Sequence, residues 1–270
     1  MGSGNVQAHE SSFHDDWAAN TRVEDVPVRE AFESLAAVEN RWILKRMGDL
    51  RGKRVLDVGA GLGESSVYFA LQGSNVTYTD LSPGMADFAR RLAAHHEVGI
   101  ESRVTAAEEL DVEEDAFDFV YIANTIHHAT DKDRLFASVR RALRGGGWFF
   151  SWDPLAYNPV INIYRKMATE VRTEDEQPLT FRDVDLARRY FSRVQHREFW
   201  IATLSLFMKY YMVDRIHPNT DRYWKRIYHE GPRSLWWWRP LERMDRVLTR
   251  LPLVRRLAWN MVMCGQKVVS

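Results

Sequence analysis

Five glycines and carboxylates near the start of the chain have the spacing of a site for a nucleotide-like ligand. Loop 59–63, with glycine at its first, third and fifth positions, follows the apolar run 54–58, which contains Asp57. Glycine has no Cβ, so such a loop can turn sharply and bring its backbone close to a ligand. Asp80 ends the next apolar run, about 20 residues on, where a carboxylate can accept hydrogen bonds from a ribose. The pattern therefore predicts that the loop and Asp80 bind one ligand.

The segments that carry these residues alternate between strand-like and helix-like patterns. Short apolar runs typical of strands are separated by sequences with helical periodicity, and they lie at residues 54–58, 75–79, 103–106, 117–123 and 148–152. This alternation predicts a parallel sheet with right-handed crossovers. The ligand is then expected beyond the carboxyl ends of the strands. Two further strands are expected at 194–200 and 260–267, and one helix over 27–47.

Three parts are expected in the chain. Residues 1–26 form an arm or lid, of which 1–12 are expected to be disordered and 13–17 to cover the ligand or to fray. Residues 27–200 and 259–270 form the ligand-binding domain. Residues 201–258, which are rich in tryptophan and tyrosine, form a helical cap inserted before the last strand.

Composition narrows the function and the compartment. The 37 Lys and Arg residues balance the 37 Asp and Glu residues, which argues against a dedicated nucleic-acid binder. The one cysteine, Cys264, excludes an internal disulfide and fits a reducing cytoplasm. No apolar run reaches about 18 residues, so no membrane-spanning helix is expected. We therefore expect a cytoplasmic protein that binds small molecules.

In combination, the motifs resemble the class I S-adenosylmethionine-dependent methyltransferases, over about residues 40–155 and the final strand pair. The loop reads Gly-x-Gly-x-Gly, with Glu64 where a dinucleotide-binding loop has glycine, and segments 107–110, 122–128 and 143–147 also resemble family motifs. The resemblance implies an α/β Rossmann-like fold with a seven-stranded sheet, parallel except for one antiparallel strand. It also implies S-adenosylmethionine as the cofactor.

The resemblance assigns cofactor roles by position. The glycine loop would wrap the methionine part, Asp80 would hold the ribose, and residues near 81–85 and 107–108 would contact the adenine. Ala106 stands where the family often has an acidic residue for the adenine amino group. The implied cofactor-binding residues are Asp57, Gly59, Ala60, Gly61, Gly63, Asp80, Leu81, Met85, Ala107, Glu108, Asn124 and Thr125.

The catalytic group is expected outside the glycine loop. An acceptor must lie about 3 Å from the sulfonium methyl carbon, and an oxygen or alkene acceptor also needs a base. Glu170 is the first candidate base, and His128 and Asp153 are the other candidate catalytic residues. The pair His127-His128 has three alternative roles: a base for an oxygen acceptor, part of a metal site with Asp or Glu, or a structural role in which His128 shapes the pocket floor and His127 packs. Because no cysteine partner or His-x3-His spacing is present, no zinc site is expected.

The aromatic insertion favours a hydrophobic acceptor. Aromatic and cationic residues expected to bind it are Trp17, Tyr157, Tyr164, Arg165, Arg172, Trp200, Tyr210 and Arg222. This combination resembles the prenyl diphosphate C-methyltransferases, in which cations and commonly Mg²⁺ hold the diphosphate. O- or N-methylation of a natural product or a lipid-linked metabolite remains an alternative, as does a non-catalytic cofactor-binding protein. The basic, aromatic segment 236–256 favours contact with a membrane surface or an anion, and homo-oligomerisation through the insertion stays open.

Overall fold

The computed structural model of the chain describes residues 3–167, 176–219, 223–229 and 237–269. Within them, the strands are β1 Arg54–Val58, β2 Asn75–Asp80, β3 Glu101–Val104, β4 Phe117–Ala123, β5 Leu143–Pro154, β6 Ser192–Phe199 and β7 Asn260–Gln266. The α-helices are α1 Ser3–Ala19, α2 Glu30–Glu33, α3 Val38–Met47, α4 Glu64–Leu71, α5 Pro83–His95, α6 Lys132–Ala142, α7 Pro159–Met167, α8 Phe181–Tyr190, α9 Ser205–Met212, α10 Tyr223–His229 and α11 Trp238–Leu248. Short 3-10 helices lie at Val23–Asp25, Ala107–Glu109 and Val254–Leu257.

The described strands form one seven-stranded sheet in the order β3-β2-β1-β4-β5-β7-β6. Neighbours from β3 to β5 pair in parallel, and β7 pairs antiparallel with both β5 and β6. The predicted Rossmann-like sheet with one antiparallel strand is thus confirmed. The strand order reverses between β1 and β4, and in such sheets the crevice at the reversal holds the ligand.

Helices cover both faces of this sheet, which explains why its central strands are apolar throughout. Val55 of β1 packs in one core cluster, and Leu56, the next residue, packs in the other. Alternate side chains of a strand point to opposite faces, so a strand buried on both faces reads as a continuous apolar run. Because β1 and β4 pair in parallel within this buried sheet, their carboxyl ends lie side by side.

Two expectations for the N-terminal part are wrong. Residues 3–12 are helical, within α1, and this helix packs against α5. The single helix expected over 27–47 is broken into α2 and α3, because Ser34 has an extended backbone conformation, with ψ 158°. The break brings Asn40 back to α2, where its Nδ2 donates to the carbonyl oxygen of Ala31 at 2.8 Å. Sequence periodicity continues across the break and so does not reveal it.

The helices between β6 and β7 have a small core of their own. Phe207, Tyr210 and Tyr223 pack with Trp200 and Trp238 in a separate aromatic cluster. A helical, aromatic-rich insertion before the last strand is therefore present, whereas its role as a substrate cap stays a prediction. Among the described residues, no helix has the length and apolar character needed to cross a membrane.

Candidate active site

The glycine loop owes its shape to three left-handed backbone conformations. Gly59, Gly61 and Gly63 have φ values of 63°, 52° and 85°, which residues with a Cβ rarely adopt. A Cβ on Gly59 would lie 2.4 Å from the side chain of Thr125, and one on Gly63 would lie 2.6 Å from Cβ of Ala89. A Cβ on Gly61 would meet nothing within 4 Å. Gly59 and Gly63 are thus required by packing, whereas Gly61 faces open space that a ligand can fill.

Asp57 and Asp80 hold the loop and the start of α4 through hydrogen bonds. Oδ2 of Asp57 accepts hydrogen bonds from the hydroxyls of Ser65 and Ser66, both at 2.6 Å, at the first turn of α4. Burial raises the pKa of Asp57 to about 7. Oδ2 of Asp80 accepts the backbone N–H of Gly61 at 2.8 Å, and its Oδ1 accepts that of Ser82 at 2.9 Å. Burial likewise raises the pKa of the Asp80 carboxyl.

Two adjoining cavities lie at this edge of the sheet. The smaller, of about 70 Å³, is lined by Asp80, Leu81, Ala107, Glu108 and Thr125, among others. The larger, of about 210 Å³, runs from Asp57 and the loop 59–62 to an aromatic wall. Both cavities are also lined by His14, Gly59, Asn124 and His128, so they meet at that point. The pair matches a ligand with an adenosine part and a methionine part, because Asp80 stands in the first cavity and the glycine loop in the second.

Helix α1 closes these cavities from the outside. Phe13, His14 and Trp17 line the larger one. The helix is attached through Asp15, whose Oδ1 accepts the hydroxyl of Ser82 at 2.5 Å and the backbone N–H of Gly84 at 2.8 Å. Because the backbone N–H of Ser82 also donates to Oδ1 of Asp80, helix α1 and the Asp80 carboxyl group are both held at Ser82.

His127, His128 and Glu176 line the larger cavity, and the carboxyl group of Asp153 lies behind His127. The ring Nδ1 of His127 lies 2.8 Å from Oδ1 of Asp153, which also accepts the backbone N–H of His127 at 3.1 Å. Nε2 of His127 lies 3.9 Å from Oε2 of Glu176. Nδ1 of His128 lies 3.0 Å from Oε1 of Glu10. Burial raises the pKa of Asp153 well above its usual range.

Asp153 therefore has a different position from the one predicted for a catalytic residue. Its side chain is completely buried behind His127 and does not line either cavity, so it orients the imidazole instead of contacting an acceptor. His127, for which a base, a metal-binding and a packing role were all open, lines the larger cavity together with His128. Asp153 follows the last core pairs of β5 with β4, and the neighbouring ends of parallel strands were the signal that could have joined it to His127.

Most predicted cofactor residues line the cavities, and two do not. Those that do are Asp57, Gly59, Ala60, Gly61, Asp80, Leu81, Ala107, Glu108, Asn124 and Thr125. Met85, in the first turn of α5, is completely buried in the core, because it lies on the apolar face of this amphipathic helix. Gly63 packs on Ala89. Oε1 of Glu108 accepts the backbone N–H of Thr130 at 2.9 Å, which holds the carboxylate at the rim.

The predicted acceptor residues divide in the same way. Trp17, Tyr164 and Arg165 line the larger cavity. Trp200 and Tyr210 are buried in the core of the insertion, since they pack on its other aromatic rings. Tyr157 is partly exposed and stacks on Phe181. Glu170, Arg172 and Arg222 lie outside the described residues.

The sequence patterns missed several residues of the cavity wall. Phe32, Asn40, Tyr121 and Trp152 line it from α2, α3, β4 and β5. Their positions read as ordinary core positions, and only the break between α2 and α3 brings Asn40 to Tyr121, whose hydroxyl donates to Asn40 Oδ1 at 2.6 Å. Tyr228 and Trp259 complete the aromatic wall from the insertion side.

Comparisons with known proteins agree with this geometry. Residues 56–151 match a family described as a methyltransferase domain. A ubiquinone biosynthesis O-methyltransferase of Bordetella avium is 34% identical over 130 residues, which are 48% of this chain and 54% of that relative. The chain thus spans about half the length of this curated relative.

Solved structures with low sequence identity share the fold. Phosphoethanolamine N-methyltransferase 2 of Haemonchus contortus, in complex with S-adenosyl-L-methionine, has a TM-score of 0.56 at 20% identity, over 86% of this chain and 52% of that one. A geranyl diphosphate methyltransferase in complex with GPP and sinefungin has a TM-score of 0.57 at 15% identity, over 86% of this chain and 78% of that one. At these identities the likeness concerns the fold alone. Together with the family match, it identifies residues 56–151 as a methyltransferase domain within a sheet of the methyltransferase Rossmann-like fold.

Proposed function

We propose that the protein transfers the sulfonium methyl group of S-adenosylmethionine to an apolar small molecule bound in the larger cavity. The observation that carries the proposal is the continuity of that cavity, which joins the glycine loop to an aromatic wall. Loop 59–62 and Asp80 would hold the cofactor, which supplies an electrophilic methyl group. The chain's own contribution is to align the acceptor with that methyl group and to exclude water.

The aromatic wall supports an apolar acceptor. Tyr164, Tyr228 and Trp259 line the cavity together with the glycine loop. Tyr164 itself is fixed by ring contacts with Phe207 and Tyr223, at centroid distances of 5.6 and 5.3 Å. The insertion therefore supports this wall with its own core, so the wall is expected to be rigid and to recognise shape and apolar area.

A series of acceptors that differ only in alkyl chain length tests the proposal. Each buried CH₂ is worth about 0.8 kcal/mol, so kcat/KM with radiolabelled S-adenosylmethionine should rise about fourfold per carbon until the cavity is filled. Tyr164→Ala should flatten this dependence, whereas Tyr157→Ala, outside the cavity, should leave it unchanged. A rate that is independent of chain length, or no turnover of cofactor with any member, would contradict an apolar methyl acceptor and favour a cofactor-binding protein without catalysis.

C-methylation of a prenyl diphosphate is a narrower form of the same proposal. It is favoured by Arg165, a cation that lines the apolar cavity, because a diphosphate needs cationic partners. Lys209, a cation of the insertion, is paired with Asp214 at 2.6 Å and does not line the cavity. Turnover of geranyl diphosphate should require Mg²⁺ and be lost in Arg165→Gln but not in Lys209→Gln. No turnover of geranyl diphosphate would exclude this acceptor, and equal turnover without Mg²⁺ and in Arg165→Gln would exclude Arg165 and Mg²⁺ as partners of the diphosphate.

The basic residues of the insertion suggest that the protein lies in the cytoplasm and contacts anionic lipid at a membrane surface. Met244, Val247 and Leu253 are exposed around α11, beside the exposed arginines 243 and 246, and exposed apolar and basic side chains together suit a lipid interface. Flotation with vesicles containing phosphatidylglycerol should bind the wild type and the control Val268→Ser, but not Leu253→Ser. If all three proteins float to the same extent, the exposed apolar residues around α11 do not bind the lipid. Light scattering on the same samples would show whether the chain forms homo-oligomers.

A further inference from the structure

The strongest unassigned feature of the cavity is a cluster of three potential metal ligands. His127, His128 and Glu176 each offer one ligand atom, and these atoms lie within 4.8 Å of one another. The carboxylate comes from a different segment than the two histidines, which is why the spacing of histidines alone predicted no zinc site. Its neighbour Gln177 donates its backbone N–H to the carbonyl oxygen of His127 at 2.7 Å, so the main chain itself holds Glu176 beside the histidines.

Both histidines have the support that metal-bound imidazoles usually have. Oδ1 of Asp153, which accepts the backbone N–H of His127, lies 2.8 Å from the ring Nδ1, and Nε2 is the nitrogen on the Glu176 side. Glu10 has the corresponding position at Nδ1 of His128, 3.0 Å away. A carboxylate on one nitrogen fixes the tautomer and makes the other nitrogen a better ligand.

The distances suit a first-row transition metal. Zinc binds imidazole nitrogen and carboxylate oxygen at about 2.0–2.2 Å in a tetrahedral arrangement, so two of its ligand atoms lie about 3.4 Å apart. Nε2 of His127 and Oε2 of Glu176 are 3.9 Å apart, and a small rotation of Glu176 would bring both into range. Two imidazoles and one carboxylate suit Zn²⁺, Fe²⁺, Mn²⁺ or Co²⁺ and leave positions for another ligand.

We propose that His127, His128 and Glu176 bind one divalent transition-metal ion, and that this ion takes a hydroxyl oxygen of the acceptor as a further ligand. The inference rests on the proposed methyl transfer and deepens it, because it makes the acceptor a hydroxylated apolar molecule. A bound hydroxyl loses its proton to water more readily. The oxygen then forms the new C–O bond as the S–C bond breaks, and neutral S-adenosylhomocysteine leaves.

Metal titration of the full-length protein tests the site without relying on activity. After removal of metal with a chelator, Zn²⁺ or Co²⁺ is titrated in competition with a chromophoric chelator. One tight site per chain is expected in the wild type. Asp153→Asn, a change in a positioning residue, should weaken it about 10–100-fold, and His127→Gln or Glu176→Gln by more. His196→Gln is the matched control, because His196 also has a carboxylate at Nδ1, Glu198 at 2.5 Å, but belongs to no cluster of ligands among the described residues.

Two results would overturn the proposal. One is the absence of a tight site in the wild type, and the other is an affinity that falls equally in His196→Gln and in the ligand variants. Thermal melting identifies any variant that fails to fold. If one of Asp153→Asn, His127→Gln and Glu176→Gln does not fold, the metal affinity of the other two still tests the site. Binding of S-adenosylmethionine is measured on the metal-free protein, where it should persist. If S-adenosylmethionine binds neither the metal-free nor the metal-loaded protein, the proposed function is contradicted. If the cofactor binds but no metal site is found, only this inference is contradicted.

Discussion

His127 is held at the active-site cavity by Asp153, whose Oδ1 lies 2.8 Å from the ring Nδ1 and 3.1 Å from the backbone nitrogen of the same histidine. The two residues follow neighbouring parallel strands, β4 and β5, so the sheet itself brings them together. Asp153 is completely buried. The pair thus holds one imidazole, in one orientation, in the wall of the larger cavity.

Gly59 and Gly61 should respond differently to the same substitution. Both have left-handed backbones, so alanine costs each about 1–2 kcal/mol. At Gly59 the new Cβ would also meet Thr125 at 2.4 Å, which adds roughly 1–3 kcal/mol of overpacking. Urea denaturation should therefore show Gly59→Ala as the less stable variant by that difference. Gly61→Ala should instead weaken cofactor binding, and equal stabilities would mean that the loop does not pack on Thr125 in solution.

Asp15 should control how tightly α1 closes over the cofactor. Its carboxylate bonds to Ser82 and Gly84, so Asp15→Ala removes two hydrogen bonds to a charged acceptor, each worth about 1.5–3 kcal/mol. We expect the dissociation constant of S-adenosylmethionine to rise at least tenfold and hydrogen exchange in residues 10–19 to quicken. The exposed neighbour gives the control, Asp16→Ala, which should behave as the wild type. A covering role for α1 is excluded if both variants bind the cofactor as the wild type does.

Glu39 should make the protein less stable as the pH rises. Its carboxylate is buried, and burial raises its pKa to about 7, although Nδ2 of Asn260 donates to it at 2.7 Å. Between the unfolded pKa of about 4.3 and pH 7, the folded state binds the extra proton, so stability falls over this window, by roughly 3 kcal/mol in all. Asp57 acts in the same direction, so the comparison with Glu39→Gln isolates the Glu39 contribution.

Denaturant midpoints at pH 5 and pH 8 measure this effect. Glu39→Gln keeps an acceptor for Asn260 and does not ionise, so it should match the wild type at pH 5 and exceed it at pH 8. A difference between the two proteins that is the same at both pH values would show that Glu39 keeps an ordinary pKa in the folded state.

The sheet and the cofactor loop could be predicted from sequence because their signals are local. An apolar run, three glycines and Asp80 lie within 27 positions, 54–80, and each element forms next to its neighbour in sequence. The acceptor side could not be predicted in the same way. Glu176, Tyr228 and Trp259 reach the cavity from separate segments, and Trp200, chosen because it is aromatic, is used by the core of the insertion. Residue type alone does not distinguish an aromatic residue that lines the cavity from one that is buried in the core of the insertion.

Binding of S-adenosylmethionine by calorimetry, compared between the wild type and Asp80→Asn, tests the central claim most directly. Asp80 holds Gly61 through a 2.8 Å hydrogen bond and lines the smaller cavity. Loss of its charge should cost about 1.5–3 kcal/mol, or roughly 10–150-fold in affinity. Asp87→Asn, on the exposed side of α5, is the control. One cofactor per wild-type chain, with weakened binding only in Asp80→Asn, is the predicted result. Absence of binding to the wild type, or equal affinity in all three proteins, would contradict the assignment of these cavities to the cofactor.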